Sequence, residues 1–130
     1  YLEDPCANFD DIAFVANRTG MPVAIDELLA QGKPWEPIPQ LRALVLKPML
    51  LGSLANSEAL VARARELRLK VIVSSCFESG VGLGQLARLA GEWAPDQAPG
   101  LDTKRWLASD LLDTQGKPDL SLLEPLFHRD

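Results

Sequence analysis

Four short apolar runs in this chain each end in a residue able to do chemistry. "YLEDP" ends with Glu3 and Asp4, "MPVAIDE" with Asp26 and Glu27, "RALVLKP" with Lys47, and "KVIVSSC" with Ser74 and Ser75. Two carboxylates aimed at one point repel each other unless a cation lies between them. Mg²⁺ suits such a place, because it takes hard oxygen ligands in octahedral geometry and keeps positions for water or substrate oxygens. A lysine beside that metal has its ammonium form disfavoured, and its pKa is expected to fall toward the range useful for proton transfer.

Each of these residues also has a plainer reading. An acid at the end of an apolar run is usually a helix cap or a solvated side chain, and Lys47, next to Pro48, can carry its ammonium out of the core on its aliphatic stem. Four polar ends on four consecutive runs favour a shared site.

Parallel strands would bring such ends together. The runs are continuous and rich in β-branched residues, and amphipathic segments separate them, which is the pattern of strands buried on both faces. Residues 10–20 read as a helix stopped by Gly20. Residues 54–69 read as an amphipathic helix with Leu60, Val61, Ala64 and Leu67 on one face and Ser57 as N-cap. Residues 82–94 read as another helix, and the proline-rich connector "LLAQGKPWEPIPQL" as irregular or a short helix. The order predicts an α/β protein, either a doubly wound sheet or a barrel. In both, the C-terminal strand ends share one face, where active sites form. After residue 94 the pattern weakens.

Composition narrows the partners. At 130 residues, 47% hydrophobic and 24% charged, the chain fits one globular domain. A net charge of −5 with scattered Lys and Arg argues against nucleic acid and against an anionic membrane surface. No signal-peptide pattern and no long apolar run points to a membrane. Cys6 and Cys76, far apart and without a Cys-x-x-Cys partner, read as free thiols in a reducing compartment, so a cytoplasmic location is expected. Trp35, Trp93 and Trp106 read as packing residues. His128 reads as a tail residue without a catalytic role. Glu78 reads as a helix cap in preference to a loop-orienting group, and Asp102 as the cap of a following turn.

The pieces "YLEDPC", "VAIDE", "LVLKP", "GSL" and "VSSCFESGVGLGQLARLA" with "PGLDT" resemble the enolase superfamily, and within it the o-succinylbenzoate synthase family of menaquinone biosynthesis. The resemblance covers residues 1–104 and leaves 105–130 as a tail of uncertain structure. It implies the C-terminal part of a (β/α)7β barrel, with the capping domain and first barrel strands absent. Glu3 and Asp26 would then be two of three Mg²⁺ ligands, with Glu27 supporting Asp26 from behind. Lys47 would stabilise an enediolate by its charge, the proton-abstracting base being a lysine of a Lys-x-Lys motif that this chain lacks. Ser74 and Gly100 would hold the carboxylate tail of a small-molecule substrate. The implied activity is a lyase that dehydrates 2-succinyl-6-hydroxy-2,4-cyclohexadiene-1-carboxylate to o-succinylbenzoate. Alternatives are an N-acylamino acid racemase or dipeptide epimerase, or a non-catalytic half-barrel interaction module. A half-barrel would be expected to bind poorly to metal, to be inactive alone, and to pair with its other half or with itself.

Overall fold

The structure is a computed structural model, and it describes residues 1–122. His128 lies outside the described residues. Strand β1 (Leu2–Glu3) leads to helix α1 (Phe9–Thr19), β2 (Val23–Ile25) to the one-turn α2 (Glu27–Ala30), β3 (Leu41–Leu46) to α3 (Leu54–Glu66), and β4 (Lys70–Val73) to α4 (Gly80–Trp93). The four strands form one sheet in the order β1-β2-β3-β4, every pair parallel. The register slips once, between Val23 and Ala24.

Local sequence sets the helix limits. The Asn8 side chain accepts from the Asp11 amide at 2.9 Å and opens α1, whose first turn carries Asp10 and Asp11 at the positive end of the helix dipole. Gly20, at φ 70°, closes it by donating its amide to the Ala16 carbonyl. Ser53, not Ser57, caps α3, accepting from the Asn56 amide at 3.1 Å. Ser57 lies one turn inside the helix, fully buried, with its hydroxyl directed to the Ser53 carbonyl. Of the four residues expected on its apolar face, Val61 and Ala64 are buried and Leu60 is half-buried, while Leu67, also half-buried, is the residue just past its end. The proline-rich connector gives the short α2 and then an irregular stretch up to β3.

Strand side chains fall into two clusters, one on each face of the sheet. Val23, Ile25, Leu44, Leu46, Val71 and Val73 face the helices and pack with Ile12, Ala16, Val61, Ala64, Leu86, Ala90 and Trp93. Ala24, Ala43 and Val45, with Ile72, form a smaller second cluster. Successive strand residues point to opposite faces, so both faces of the sheet are buried, as the continuous apolar runs require. Trp35 and Trp93 are packing residues, half-buried and buried respectively. Trp106 is not: it is 70% exposed in the short turn Lys104–Trp106, and the Arg105 guanidinium lies over its ring, 5.1 Å from the centroid.

Candidate active site

Because all four strands run the same way, Glu3, Asp26, Lys47 and Ser74 leave the sheet at one end, each at or just after the last residue of its strand. Lys47 is the hub. Its Nζ donates to Asp26 Oδ2 at 2.7 Å and to Glu27 Oε1 at 2.9 Å. The Lys47 and Asp26 side chains are 16% and 8% exposed, whereas Glu27 is 59% exposed. The inner pair is therefore largely shielded from water, and the outer one is not.

The sequence explains why Asp26 is free for this pairing. It occupies the N-cap position of α2 but makes no capping bond. Asp4 takes that task from across the sheet: its Oδ2 accepts from the Leu28 amide at 2.9 Å. Asp4 reaches it from a left-handed backbone conformation, φ 34°. Of the two adjacent acids, Asp4 is thus spent on structure, while Glu3 remains exposed at the end of β1, close enough for its charge to act on Asp26.

Two opposing influences act on the Lys47 ammonium. Burial pulls its pKa down, but hydrogen bonds to Asp26 and Glu27 outweigh this, and the ammonium is held above the ordinary lysine range. Between these two carboxylates the lysine is held as a cation. For Asp26, burial pushes the carboxyl above its usual range against the pull of Lys47. Asp26 and Lys47 thus respond differently to one contact. The lysine's direction governs the pair, since its ammonium faces two carboxylates. Glu27 is lowered, first by its bond to Lys47.

Asp26 Oδ1 is buried without a hydrogen-bond partner. An orphaned carboxylate oxygen costs free energy unless something occupies it, and a hard cation would fit. The donor set is incomplete, however: among the described residues no group of three or more His, Cys, Asp or Glu side chains is arranged to hold a metal ion.

Ser74 and Gly100 are neighbours, joined in a parallel bridge, with the Gly100 amide donating to the Val73 carbonyl at 2.9 Å. The Ser74 amide donates to the Leu46 carbonyl at 2.8 Å, so Ser74 sits beside the backbone that carries Lys47. The Ser75 hydroxyl, buried, lies 3.0 Å from both the Gly100 carbonyl and Thr103 Oγ1. Glu78 does not cap α4; Ser79 holds that position. Instead Glu78 Oε2 accepts from the Cys76 amide at 2.7 Å and pins the loop between β4 and α4. Asp102 likewise leaves the cap position to Thr103 and pairs with Arg105 at 3.2 Å on the surface. Sequence reasoning missed the roles of Asp4 and Ser75. The doublets Glu3-Asp4 and Ser74-Ser75 were the available signal: Asp4 and Ser75 fasten the backbone, and the Ser74 hydroxyl also reaches the Gly100 carbonyl, at 3.4 Å.

Two solved structures share this fold. A substrate-liganded L-Ala-D/L-Glu epimerase from Bacillus subtilis superposes with a TM-score of 0.63 at 20% identity, over 85% of this chain and 32% of that one. An enolase from Pseudomonas fluorescens, with bound magnesium, potassium and tartrate, superposes with a TM-score of 0.55 at 23% identity, over 78% and 23%. The fold is α/β, the C-terminal part of an enolase-type (β/α)7β barrel.

By sequence the chain is similar to the o-succinylbenzoate synthases. It is 42% identical to that of Enterobacter sp. strain 638 over 133 aligned residues, 98% of this chain and 41% of the relative. It is 40% identical to that of Pectobacterium atrosepticum over 116 residues, 88% and 34%. It is 36% identical to that of Klebsiella pneumoniae strain 342 over 133 residues, 98% and 41%. The chain thus spans about two fifths or less of the length of these curated relatives. No family model matches it. No helix among the described residues is long and apolar enough to cross a membrane.

Proposed function

We propose that this chain supplies the charge-stabilising half of a carbon–oxygen lyase site that dehydrates 2-succinyl-6-hydroxy-2,4-cyclohexadiene-1-carboxylate to o-succinylbenzoate. Residues 1–104 would be its portion of the barrel and residues 105–130 a C-terminal tail. The observation that carries the reading is Lys47 Nζ held at 2.7 Å and 2.9 Å by Asp26 and Glu27 at the strand ends, in a chain resembling named synthases.

In this reading the Lys47 ammonium stabilises the enediolate that forms when the substrate's α-proton leaves. The base that takes the proton is not in this chain, which contains no Lys-x-Lys. Glu3 and Asp26 would hold a divalent cation, Mg²⁺ by ligand type, with Glu27 orienting Asp26 through Lys47. Such a cation would supply charge to the substrate's carboxylate oxygens when bound. Ser74 and Gly100 would receive the carboxylate tail. A preorganised charge aimed at developing negative charge is worth about 10² to 10³ in rate. The dehydration assay of the whole protein that carries this chain tests the role. Lys47→Ala should lose about that factor, and Lys47→Arg should stay impaired, because the planar guanidinium cannot replace a compact ammonium. Full activity of Lys47→Ala would sink the assignment. Racemisation of an N-acylamino acid in place of dehydration would move the chain to the epimerase alternative.

A further inference from the structure

The loop 74–79 carries Ser74, and its conformation has to be held for Ser74 to present a fixed donor. One end is fastened to β4's neighbour in space: the Ser75 amide donates to the Gly100 carbonyl at 2.9 Å, and the Ser75 hydroxyl bonds Gly100 and lies against Thr103. The middle is pinned by Glu78 on the Cys76 amide. The other end is Gly80, the first residue of α4, whose amide, like the others of a helix's first turn, has no partner within the helix. That amide donates to Asp110 Oδ1 at 2.7 Å, thirty residues further along the chain.

Asp110 is itself well held. Its side chain is 11% exposed, Lys104 Nζ stands 2.6 Å from Oδ2, and the Leu111 amide donates to Oδ1 at 2.8 Å. Beyond it the chain folds back on itself, with the Asp119 amide bonded to the Leu111 carbonyl and the Asp113 amide to the Lys117 carbonyl. The approach to Gly80 is close: a Cβ there would lie 2.5 Å from Asp110 Oδ2 and 2.5 Å from Leu112 Cδ1.

We propose that residues 100–112 form a strap across the loop 74–79, and that Asp110, set by Lys104, is a positioning residue for substrate binding through Gly80. The strap grips the loop at both ends, Gly100 on the β4 side and Asp110 on the α4 side. The link to substrate rests on the function proposed above; the grip on the loop does not.

The test compares Asp110→Ala with Asp110→Asn, which keeps an acceptor oxygen for the Gly80 amide. Amide hydrogen exchange is measured first. In Asp110→Ala, Gly80 and Cys76 should exchange about fivefold faster or more, the scale of a lost helix cap, with the amides of α1 and α3 unchanged. In the dehydration assay KM should rise by a similar factor with kcat nearly constant. Asp110→Asn should restore most of both. Unchanged exchange at Gly80 in Asp110→Ala overturns the proposal, as does equal acceleration throughout α1, α3 and α4, or an Asn variant as damaged as Ala. If the wild-type protein does not dehydrate the substrate, the synthase reading falls, while exchange at Gly80 still decides the strap.

Discussion

Replacing Lys47 by Met removes the ammonium and keeps most of the aliphatic stem. The gross attraction between unit charges 2.7 Å apart is about 6 kcal/mol at an effective dielectric of about 20, and desolvation offsets much of it. The asymmetry of removal is more informative. Lys47→Met would leave Asp26, 8% exposed, as a buried carboxylate with neither oxygen partnered, since Oδ1 already has none. Breaking a buried pair from one side costs about 3–5 kcal/mol. The 16% exposure of Lys47 sets the expectation at the lower end, about 3 kcal/mol. Asp26→Asn should cost less, about 1–2 kcal/mol, because the ammonium keeps its bond to Glu27 and can reach water. The double variant should cost about 2 kcal/mol less than the sum of the singles. Urea unfolding with EDTA present measures all three. A Lys47→Met loss below about 1 kcal/mol, or singles that add within about 0.5 kcal/mol, would refute the claim that this pair is shielded and mutually dependent.

Other outcomes follow from single features. Gly20→Ala should lower stability by about 1 kcal/mol in the same assay: its φ of 70° disfavours a Cβ although nothing lies within 4 Å of it. Leu44→Ala, at a fully buried β3 position, should cost about 3 kcal/mol, with a thermal midpoint lower by roughly 10 °C. Burial, and after it the Glu78 carboxylate, pushes the Cys76 thiol up. Iodoacetamide should therefore alkylate it more slowly than a free thiol at neutral pH, and the rate should keep rising beyond the ordinary thiol pKa of about 8.5. A rate that levels off near neutrality would contradict that environment, and Glu78→Gln should accelerate the reaction.

The strands were legible because both faces of the sheet are buried. Apart from the exposed Arg42 and Lys70 near the starts of their strands, Val23–Ile25, Leu41–Leu46 and Lys70–Val73 are continuous apolar runs. Their polar ends were legible for the same reason, as the places where burial stops. What was hidden depends on distant partners. Ser57 and Ser53 are equally good caps by type, and only packing against the sheet shows that Ser57 points inward. Glu78 and Asp102 each stand just before a cap position and were read as caps, but backbone geometry gave that place to Ser79 and Thr103. The fall expected for the Lys47 pKa belongs to a site that holds a metal, whereas the two carboxylates on its ammonium act in the opposite direction. Asp110 gave no local signal, since its bond to Gly80 joins segments separated by a whole helix.

The strand order has a consequence for how this sheet assembles. Among the described residues each of the four strands pairs with the strands before and after it in sequence, Leu2 with Val23, Val23 with Leu41, Ala43 with Lys70. None of these pairings within the four-stranded sheet has to wait for a remote segment, so closing each contact costs the loop entropy of a single strand–helix step. The sheet can therefore grow by accretion, each new strand laid on an edge already formed. The carboxylate–lysine cluster is completed as soon as β3 docks. The serine loop arrives one step later, and its final shape waits for the strap, the last described piece of the polypeptide to fold back.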